Sequence, residues 1–591
     1  MHVVATAGHV DHGKSTLVRA LTGMEPDRWE EERRRGLTLD LGFAWTSLPS
    51  GEPIAFVDVP GHERFVANML AGVGPVPAAM LVVAADEGWM PQSAEHLAAL
   101  DALGVAHGLL VVTRCDLADP APTLERARAQ VRRTSLGDVE AVCVSGTTGE
   151  GLPALTAALQ RLVAALPAPD RHAPVRLWVD RAFTVAGAGT VVTGTLGAGT
   201  LRTGDALVLA RGDGPRLRVR GLQTLKQQTD EVGAVARVAV NLRGVPRGDV
   251  RRGDVLLTPD AWLTTTEVDA RLPGVLAEDL PRQVVVHVGA AAVPARVRPL
   301  GDDTARLGLS RPLPLRVGDR AVVRDPGRRR VTGLVVLDVR PPALTRRGAA
   351  AARAHVLAAM DGRPDGADEL CRRGLVRAAD LRAMGAEPPV DPVVGDWLVD
   401  PEVLTRLRTR LGEETAAYAE AYPLEPGLPV EVARQRLDLP DLALVDVVAS
   451  QAGTPPLVVR EGRVARADAR PALPPAVQSA VDALRRDLDA EPFAAPDATR
   501  LAELGLGSRE AAAAVRVGAL LRVGEGVLLL PDADTQAVRR LAGLPQPFTT
   551  SDARKALGTS RRVAIPLLEY LDKRGMTRRL PDDRREVTAS S

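Results

Sequence analysis

A glycine-rich segment near the amino terminus has the residues and the spacing of a phosphate-binding loop. Residues 2–7, HVVATA, predict a short buried strand, and residues 16–21 predict the start of a helix. The segment between them, GHVDHGKS, matches G-x-x-x-x-G-K-[ST]. In such a loop backbone N–H groups surround a β-phosphate, a lysine reaches the β- and γ-phosphates, and a hydroxyl binds Mg²⁺. The residues predicted to bind the phosphates are Asp11, His12, Gly13, Lys14, Ser15 and Thr16, with Ser15 also on the metal.

Two further motifs follow predicted strands. Asp58-Val59-Pro60-Gly61-His62 comes after the apolar residues 54–57, and Thr113-Arg114-Cys115-Asp116 comes after residues 109–112. The Asp116 carboxylate can accept from both N1–H and the exocyclic amine of guanine, a pair of donors that adenine lacks. The sequence therefore predicts that GTP is bound, with Mg²⁺ as its metal ion.

In their order along the chain these elements resemble those of the translational GTPases, the family of elongation factor Tu. The resemblance implies that Asp58 holds the Mg²⁺ shell, that Gly61 donates its N–H to the γ-phosphate, and that His62, the catalytic residue, orients the attacking water. It also implies that Thr38, in the segment RRRGLTLD, binds Mg²⁺ in the GTP state and is released after hydrolysis. The implied contacts of the base are Thr113, Arg114, Asp116, Ser145 and Gly146.

Two of these base contacts depart from the family's usual N-K-x-D pattern. Arg114 stands where the family has lysine, and we expect its aliphatic stem to lie along the base. Thr113 stands where the family has asparagine, so an amide is lost. Only four of the 75 basic residues are lysines, so an arginine at position 114 is expected from the composition of the chain. The lysine at position 14 is unusual for this chain and therefore supports the phosphate-loop motif.

The composition is that of a large protein with several domains. The 591 residues exceed what one hydrophobic core holds, and the absence of a long uncharged apolar run predicts no membrane association. With no secretion signal in the sequence, we expect a cytoplasmic protein. Cys115, Cys143 and Cys371 lie far apart, which indicates reduced thiols rather than disulfides or a zinc site. The net charge is only +1, so any surface for nucleic acid must be local.

A proline-rich stretch, residues 166–170, ends the helical patterning of the first domain. Short β-branched runs with glycine turns follow, and residues 174–258 resemble the second domain of elongation factor Tu. We predict an α/β P-loop GTPase domain at residues 1–170 and β-barrel domains at residues 171–260 and 261–342.

The more specific resemblance is to the bacterial selenocysteine-specific elongation factors, which deliver selenocysteinyl-tRNA. It implies an aminoacyl pocket that contains Asp180, Arg181 and Arg237. A selenol is largely ionised at neutral pH, so paired guanidinium groups would favour it over the uncharged hydroxyl of serine. The alternative is that the two arginines make ordinary surface or interdomain ion pairs.

The remaining residues, about 250, show one pattern four times. Helical patterning rich in Ala, Leu and Arg is followed by a short apolar hairpin, with a recurrence of about 60 residues, the size of a winged-helix unit. We predict four tandem winged-helix (α+β) domains, at residues 343–404, 405–470, 471–534 and 535–591.

The last of these domains has a concentrated basic face. We expect a recognition helix that begins after Thr559 or Ser560, with Pro566 inside it. The family resemblance implies that this face binds the mRNA hairpin that recodes UGA as selenocysteine. The residues predicted to contact RNA are Lys555, Arg561, Arg562, Arg578 and Arg579.

The function implied by the resemblance is a tethered delivery cycle. The last domain would hold the hairpin while a monomeric factor carries GTP and selenocysteinyl-tRNA, and the ribosome would trigger hydrolysis. Two alternatives remain open. One is a translational GTPase that carries an ordinary aminoacyl- or initiator tRNA, and the other is a regulatory GTPase subunit of a metabolic enzyme.

Overall fold

The structure is a computed structural model. It describes residues 1–26, 40–62, 65–74, 76–185, 189–211, 214–246, 248–325, 327, 331–468 and 472–588. The predicted metal ligand Thr38 lies outside these residues. The chain forms two compact units, residues 1–391 and residues 392–591, and each is described by itself. No helix in the described ranges is long and apolar enough to cross a membrane.

The first domain is a six-stranded sheet with a hydrophobic core on each face. Its strands are β1 His2–Ala7, β2 Gly42–Ser47, β3 Pro53–Asp58, β4 Ala78–Ala84, β5 His107–Thr113 and β6 Glu140–Cys143. Its helices are α1 Lys14–Thr22, α2 Val66–Val73, α3 Pro91–Ala102, α4 Ala121–Val131 and α5 Leu152–Ala165. The strand order is β2-β3-β1-β4-β5-β6, and only β2 and β3 are antiparallel. Val3 and Val4 enter opposite cores, because neighbouring side chains of a central strand point to opposite faces.

The second domain encloses one core with short, mostly antiparallel strands. They are β7 Arg176–Trp178, β8 Arg181–Val185, β9 Gly189–Leu196, β10 Thr200–Arg202, β11 Ala206–Leu209, β12 Arg216–Thr224, β13 Gln227–Thr229, β14 Glu231–Gly233, β15 Ala236–Arg243 and β16 Val255–Leu257. Eight of them form one sheet, whose hydrogen-bonded path runs from β7 through β16, β11, β12, β15 and β9 to β8. This path places Arg181 at the start of an edge strand and Arg237 two strands away on β15.

The third domain is a closed six-stranded barrel. Its strands are β17 Thr264–Arg271, β18 Gln283–Val288, β19 Ala291–Pro299, β20 Thr304–Pro314, β21 Arg320–Arg324 and β22 Val331–Asp338, in the order β17-β20-β19-β18-β21-β22. Buried and exposed residues alternate along β19, as expected where one face of a strand lines the interior.

The helices that follow are joined to this barrel by buried charges. They are α6 Ala349–Ala359, α7 Gly366–Arg373 and α8 Ala378–Met384, with β23 Leu375–Arg377 between the last two. Arg353 of α6 donates to Asp269 at 2.7 Å and to Asp338 at 2.6 Å, and Arg373 of α7 also donates to Asp338, at 2.8 Å. Arg306 holds the second oxygen of Asp269 at 2.7 Å. Because all these groups are largely buried, removal of one would leave an uncompensated charge.

The second compact unit repeats one pattern, three helices and then a two-stranded hairpin. After β24 Trp397–Val399, the helices are α9 Pro401–Ala421, α10 Val430–Arg436, α11 Ala443–Ser450, α12 Pro475–Ala490, α13 Ala498–Glu503, α14 Ser508–Arg516, α15 Ala533–Ala542, α16 Thr550–Leu557 and α17 Arg561–Lys573. The hairpins are β26 Leu457–Arg460 with β27 Arg463–Arg466, β28 Leu521–Gly524 with β29 Val527–Leu529, and β30 Thr577–Arg579 with β31 Arg585–Val587; β25 Leu428–Pro429 also pairs with β27.

Two of the predicted domain boundaries fall inside helices of this unit. Helix α9 spans the boundary predicted at 404/405, and α15 spans the one predicted at 534/535. Composition located the repeats, but the local start signal is Asp400-Pro401, in which the Asp400 carboxylate accepts two N–H groups of the first turn. Asp400 and Asp532 directly precede the two helices.

Pro566 packs against the preceding repeat. A Cβ built on Gly524, at the end of β28, would come 2.6 Å from the Cβ of Pro566. Only glycine permits this approach, and the last two repeats share one continuous hydrophobic core. The proline within α17 therefore has a packing role between repeats.

Candidate functional site

The phosphate loop is shaped by glycines at its two ends. Gly8 and Gly13 have φ angles of 135° and 79°, in the region that side chains disfavour, and a Cβ on Gly8 would lie 2.1 Å from the carbonyl oxygen of Val82. Gly13 ends the turn and α1 begins at Lys14, so the helix amino terminus is directed at the loop. The geometry fits a bound phosphate.

Lys14 is buried inside this loop. Its Nζ donates to the carbonyl oxygens of Gly8 at 3.1 Å and His9 at 2.7 Å, and burial lowers its pKa to about 8. Both of these hydrogen bonds end on neutral acceptors, so an anionic phosphate would stabilise the ammonium group directly. A Cβ on Gly61 would lie 2.7 Å from this Nζ and 2.6 Å from the nitrogen of Val10, so Gly61 closes one side of the loop.

Ser15 and Asp58, both predicted to hold the metal, are brought together. The Ser15 hydroxyl donates to one Asp58 oxygen at 2.6 Å, and Thr6 donates to the other at 2.7 Å. Burial raises the pKa of Asp58, although these hydrogen bonds and Lys14 oppose the rise. Hard oxygen donors of this kind suit Mg²⁺, which would offset the charge of the phosphates when bound.

Two residues of α3 that the sequence analysis missed accept hydrogen bonds from the backbone of the phosphate loop. The N–H of Gly8 donates to Nδ1 of His96 at 3.0 Å, and the N–H of Val10 donates to Oε1 of Gln92 at 3.0 Å. Complete burial lowers the pKa of His96 to about 3, so its ring stays neutral and can accept. The available signal was a pair of polar residues four positions apart on one face of a helix.

The two histidines predicted to act at the phosphates differ in their surroundings. His12 is buried, with Nδ1 3.4 Å from the carbonyl oxygen of Val82, and burial lowers its pKa to about 4, so it contributes as a neutral part of the loop. His62 is half-buried directly after Gly61, and its ring centroid is 6.1 Å from that of Phe65. His62 therefore lies next to the glycine that borders Lys14, where a water attacking the γ-phosphate would have to be oriented.

The predicted base-binding residues gather at the carboxyl ends of β5 and β6. Thr113 donates its hydroxyl to the carbonyl oxygen of His12 at 2.8 Å, so the hydroxyl ties this loop to the phosphate loop in place of an amide. Asp116 is exposed three residues later, where it can meet a base. The hydroxyl of Ser145 accepts two backbone N–H groups of its own turn, and a Cβ on Gly146 would lie 3.3 Å from Thr16.

The position of Arg114 is explained by the two carboxylates with which its guanidinium group pairs. Its guanidinium donates to Asp86 at 2.9 Å, to Glu87 at 2.7 Å and to the carbonyl oxygen of Asp11. Two carboxylates thus anchor the head group, and although burial alone would lower the pKa of Arg114, these acceptors raise it. With the head fixed, the aliphatic stem is the part of Arg114 that can lie along a purine.

Comparison with known proteins agrees with this geometry. The family models that match are Elongation factor Tu GTP binding domain (residues 1–165), Elongation factor Tu domain 2 (189–257), Selenocysteine-specific elongation factor, beta-barrel domain (268–343) and Elongation factor SelB, winged helix (539–585). The chain is 33% identical to the selenocysteine-specific elongation factor of Escherichia coli strain K12, with 98% of each chain covered.

Full-length similarity extends to a second relative and to a solved structure. The selenocysteine-specific elongation factor of Desulfomicrobium baculatum is 31% identical, with 98% of this chain and 99% of the relative covered. The chain belongs to the selenocysteine-specific elongation factors. A crystal structure of a bacterial selenocysteine-specific elongation factor, EF-Sec, matches over 100% of both chains with a TM-score of 0.77 and 25% identity.

As a member of the selenocysteine-specific elongation factors, the chain is a translational GTPase that uses GTP and Mg²⁺. The sequence predictions of family, function, enzyme class and cofactors are confirmed. Of its architecture, the elongation factor Tu-like GTPase domain, the second domain, the β-barrel and a carboxyl-terminal winged helix are also confirmed.

The three residues predicted for the aminoacyl pocket of this elongation factor lie together. Two of them, Arg181 and Arg237, line a cavity of about 190 Å³ between β2 and the second domain, together with Phe43. Both guanidinium groups face the Phe43 ring, with Cζ 5.3 Å from its centroid for Arg181 and 3.9 Å for Arg237. Asp180 is buried and receives two hydrogen bonds from Arg237.

The residues predicted to bind RNA differ in the contacts that they make within the protein. Lys555 and Arg561 are exposed. Arg562 instead donates to the carbonyl oxygens of Ala495 at 2.6 Å and Pro496 at 3.0 Å, in the preceding repeat. The other two make ion pairs on the surface of the hairpin, Arg578 with Glu586 and Arg579 with Asp583. Ser560 precedes α17 as expected, but its side chain makes no capping hydrogen bond, and Thr559 donates to the carbonyl oxygen of Phe493.

Proposed function

We propose that this elongation factor carries selenocysteinyl-tRNA to the ribosome at UGA codons that an mRNA hairpin marks. It acts in the cytoplasm as a monomer, with GTP and the charged tRNA on residues 1–342 and the hairpin on the last repeat. Full-length similarity to selenocysteine-specific factors favours this over a carrier of ordinary or initiator tRNA and over a regulatory subunit of a metabolic enzyme.

The observation that carries the proposal is the pair of guanidinium groups at the cavity beside Phe43. A selenolate that enters this cavity gains charge-assisted hydrogen bonds, whereas the hydroxyl of serine does not. The test compares the affinities of selenocysteinyl- and seryl-tRNA for the wild type and for an Arg181→Ala, Arg237→Ala double variant, each with a GTP analogue. We expect the preference for selenocysteine to be lost in the double variant, and an unchanged preference overturns the assignment.

The geometry of the loop supports a mechanism for GTP hydrolysis. We propose that Lys14 and the loop N–H groups bind the phosphates, that Ser15, Asp58 and Thr38 hold the metal, and that His62 orients water once the ribosome is reached. The N–H of Gly61 is the donor for the γ-phosphate. His62→Ala should leave GTP binding intact and slow ribosome-stimulated hydrolysis at least about 100-fold, because orientation of a nucleophile contributes on this scale.

The carboxyl-terminal part of the chain supports four winged-helix domains in series. The pattern of three helices and a hairpin occurs at residues 401–466, 475–529 and 533–587, and helices α6, α7 and α8 precede them. With the boundaries moved to Asp400 and Asp532, the four domains become residues 343–399, 400–470, 471–531 and 532–591. Limited proteolysis should cut first at these junctions rather than inside α9 or α15.

For the hairpin we propose a surface centred on the start of α17. Arg561 and Ile565 lie four residues apart on one face of the helix, and Ile565 is 44% exposed, so a looped-out base can pack on it while Arg561 binds a phosphate. Lys555 adds a further charge. Arg578 and Arg579 can exchange their exposed carboxylate partners for phosphates at little cost. We assign Arg562 to packing between repeats.

A titration with hairpin RNA tests this surface. Arg561→Ala should weaken binding about tenfold and reduce the slope of log affinity against log salt by about one, because one phosphate contact is lost. Arg460→Ala, at an exposed arginine in the hairpin of an earlier repeat, is the matched control and should bind as the wild type does. Equal effects of the two changes would show that the last repeat is not the RNA surface.

A further inference from the structure

The two arginines of the aminoacyl cavity differ in where their counter-charges come from. Arg237 is matched inside the second domain, because Asp180 accepts from both of its terminal nitrogens. Thr193 fixes this pair further, since its hydroxyl donates to Asp180 at 2.7 Å and accepts from Arg237 at 3.2 Å. Asp180 is only 4% exposed, so separating the pair would leave a buried charge. The charge of Arg237 is therefore already balanced.

The charge of Arg181 is paired with residues of the GTPase domain instead. Its Nη2 lies 2.9 Å from an Asp40 oxygen and also donates to the carbonyl oxygen of Leu41. The ion pair is partly open to solvent, with side-chain exposures of 19% for Arg181 and 26% for Asp40. The Nε of Arg181 is buried without a hydrogen-bond acceptor among the described residues. Arg181 can thus accept a different anion, and it has an unused donor for it.

Asp40 has a second partner that would keep it stable if it left Arg181. Arg252 lies 3.4 Å from its other oxygen. Exchange of the Arg181 partner therefore leaves every charge paired: Asp40 with Arg252, Arg237 with Asp180, and Arg181 with the incoming group. A partly exposed pair of this type contributes little net free energy, so an anion of the substrate can compete with it.

We infer that Asp40 and the selenolate of the aminoacyl group compete for Arg181, so that Asp40 limits how strongly Arg181 selects selenocysteine, while Arg237 positions the cavity wall. The inference rests on the proposed function. Asp40 precedes Phe43, which lines the cavity, by three residues.

The test uses full-length Asp40→Asn and measures the affinity for selenocysteinyl- and seryl-tRNA with GDP and with a non-hydrolysable GTP analogue. We expect the variant to bind selenocysteinyl-tRNA about fivefold more tightly than the wild type with either nucleotide, because the competing charge is gone. Seryl-tRNA should bind the two proteins equally, since its hydroxyl does not use the freed charge. Asp40→Ser removes the same carboxylate and serves if the asparagine variant does not fold.

Two further variants separate this exchange from a general loosening of the domain contact. Arg252→Gln breaks the other ion pair of Asp40 and should give no gain. Addition of Arg181→Gln to Asp40→Asn should abolish the gain. The inference is overturned if Asp40→Asn shows no gain, or an equal gain for seryl-tRNA. If the wild type with the GTP analogue does not prefer selenocysteinyl- over seryl-tRNA, the proposed function itself fails.

Discussion

Replacement of His96 by alanine removes the acceptor for the N–H of Gly8, and we expect nucleotide affinity to fall. The bond is 3.0 Å long and both groups are buried, so the variant leaves a buried donor unsatisfied at a cost of about 1–3 kcal/mol. Without nucleotide, the loop of the variant can relax so that the N–H of Gly8 finds another partner. Nucleotide binding must then return the loop to its original conformation, so the cost appears as weaker binding. At about 1.4 kcal/mol per tenfold, GDP and GTP should each bind about 5- to 150-fold more weakly.

The assay is a fluorescence titration with labelled GDP and GTP. His96→Asn is the matched rescue, because its amide oxygen stands the same number of bonds from Cα as Nδ1 does and can accept from Gly8. The pKa of His96 is about 3, so the effect should not change between about pH 5 and pH 8. Wild-type affinity in the alanine variant, or equal weakening in the alanine and asparagine variants, would refute the role of this hydrogen bond.

Gly61→Ala sets a methyl group 2.6 Å from the nitrogen of Val10, so the affinity for GTP should fall at least about tenfold in the same titration; an unchanged affinity contradicts the close approach. Arg353→Met removes a guanidinium bonded to two buried carboxylates and should lower stability to urea by about 3–5 kcal/mol, whereas a loss below about 1 kcal/mol would contradict its bridging role. Burial lowers the pKa of His287 to about 4, so the unfolded chain takes up this proton first, and stability is lost as pH falls from about 6.5 towards 4. His287→Gln should make that loss shallower by up to about 1.4 kcal/mol per pH unit, and an identical pH profile would count against it.

The parts of the nucleotide site that local sequence dictates could be predicted. Gly8 and Gly13 are needed for left-handed backbone, and Lys14 and Ser15 follow at the start of α1, so eight consecutive residues carry most of the geometry. Strand alternation and apolar runs likewise identified the sheet, because burial on both faces leaves a plain signature in the sequence.

Contacts between distant residues could not be predicted in the same way. Gly8 and His96 are 88 positions apart, and Arg181 lies 140 positions from the Leu41 carbonyl to which it donates. The family resemblance implied that both arginines belong to the aminoacyl pocket, but only tertiary structure distinguishes the one paired with Asp180 from the one paired with Asp40. Which member of a charge cluster is already paired is a property of packing, not of the local sequence.

The carboxyl-terminal repeats show a third case, because the boundaries predicted from periodic composition at 404/405 and 534/535 fall inside helices α9 and α15. The prediction used the recurrence of helical and hairpin patterns and overlooked the Asp400-Pro401 start of α9. Arg562 was grouped with RNA-binding residues because it lies in a basic run, yet its donors are used by carbonyl oxygens of the preceding repeat. A run of like charges does not reveal which of its members already donate hydrogen bonds within the protein.

Protection of the aminoacyl ester from hydrolysis tests the central claim most directly. The purified protein is mixed with Mg²⁺, a GTP analogue and either selenocysteinyl- or seryl-tRNA, and the rate of spontaneous deacylation is followed. We predict that hydrolysis of selenocysteinyl-tRNA slows at least about tenfold while that of seryl-tRNA is unaffected, because only the selenolate matches the cation of Arg181. Equal protection of both esters, or of neither, would contradict the account.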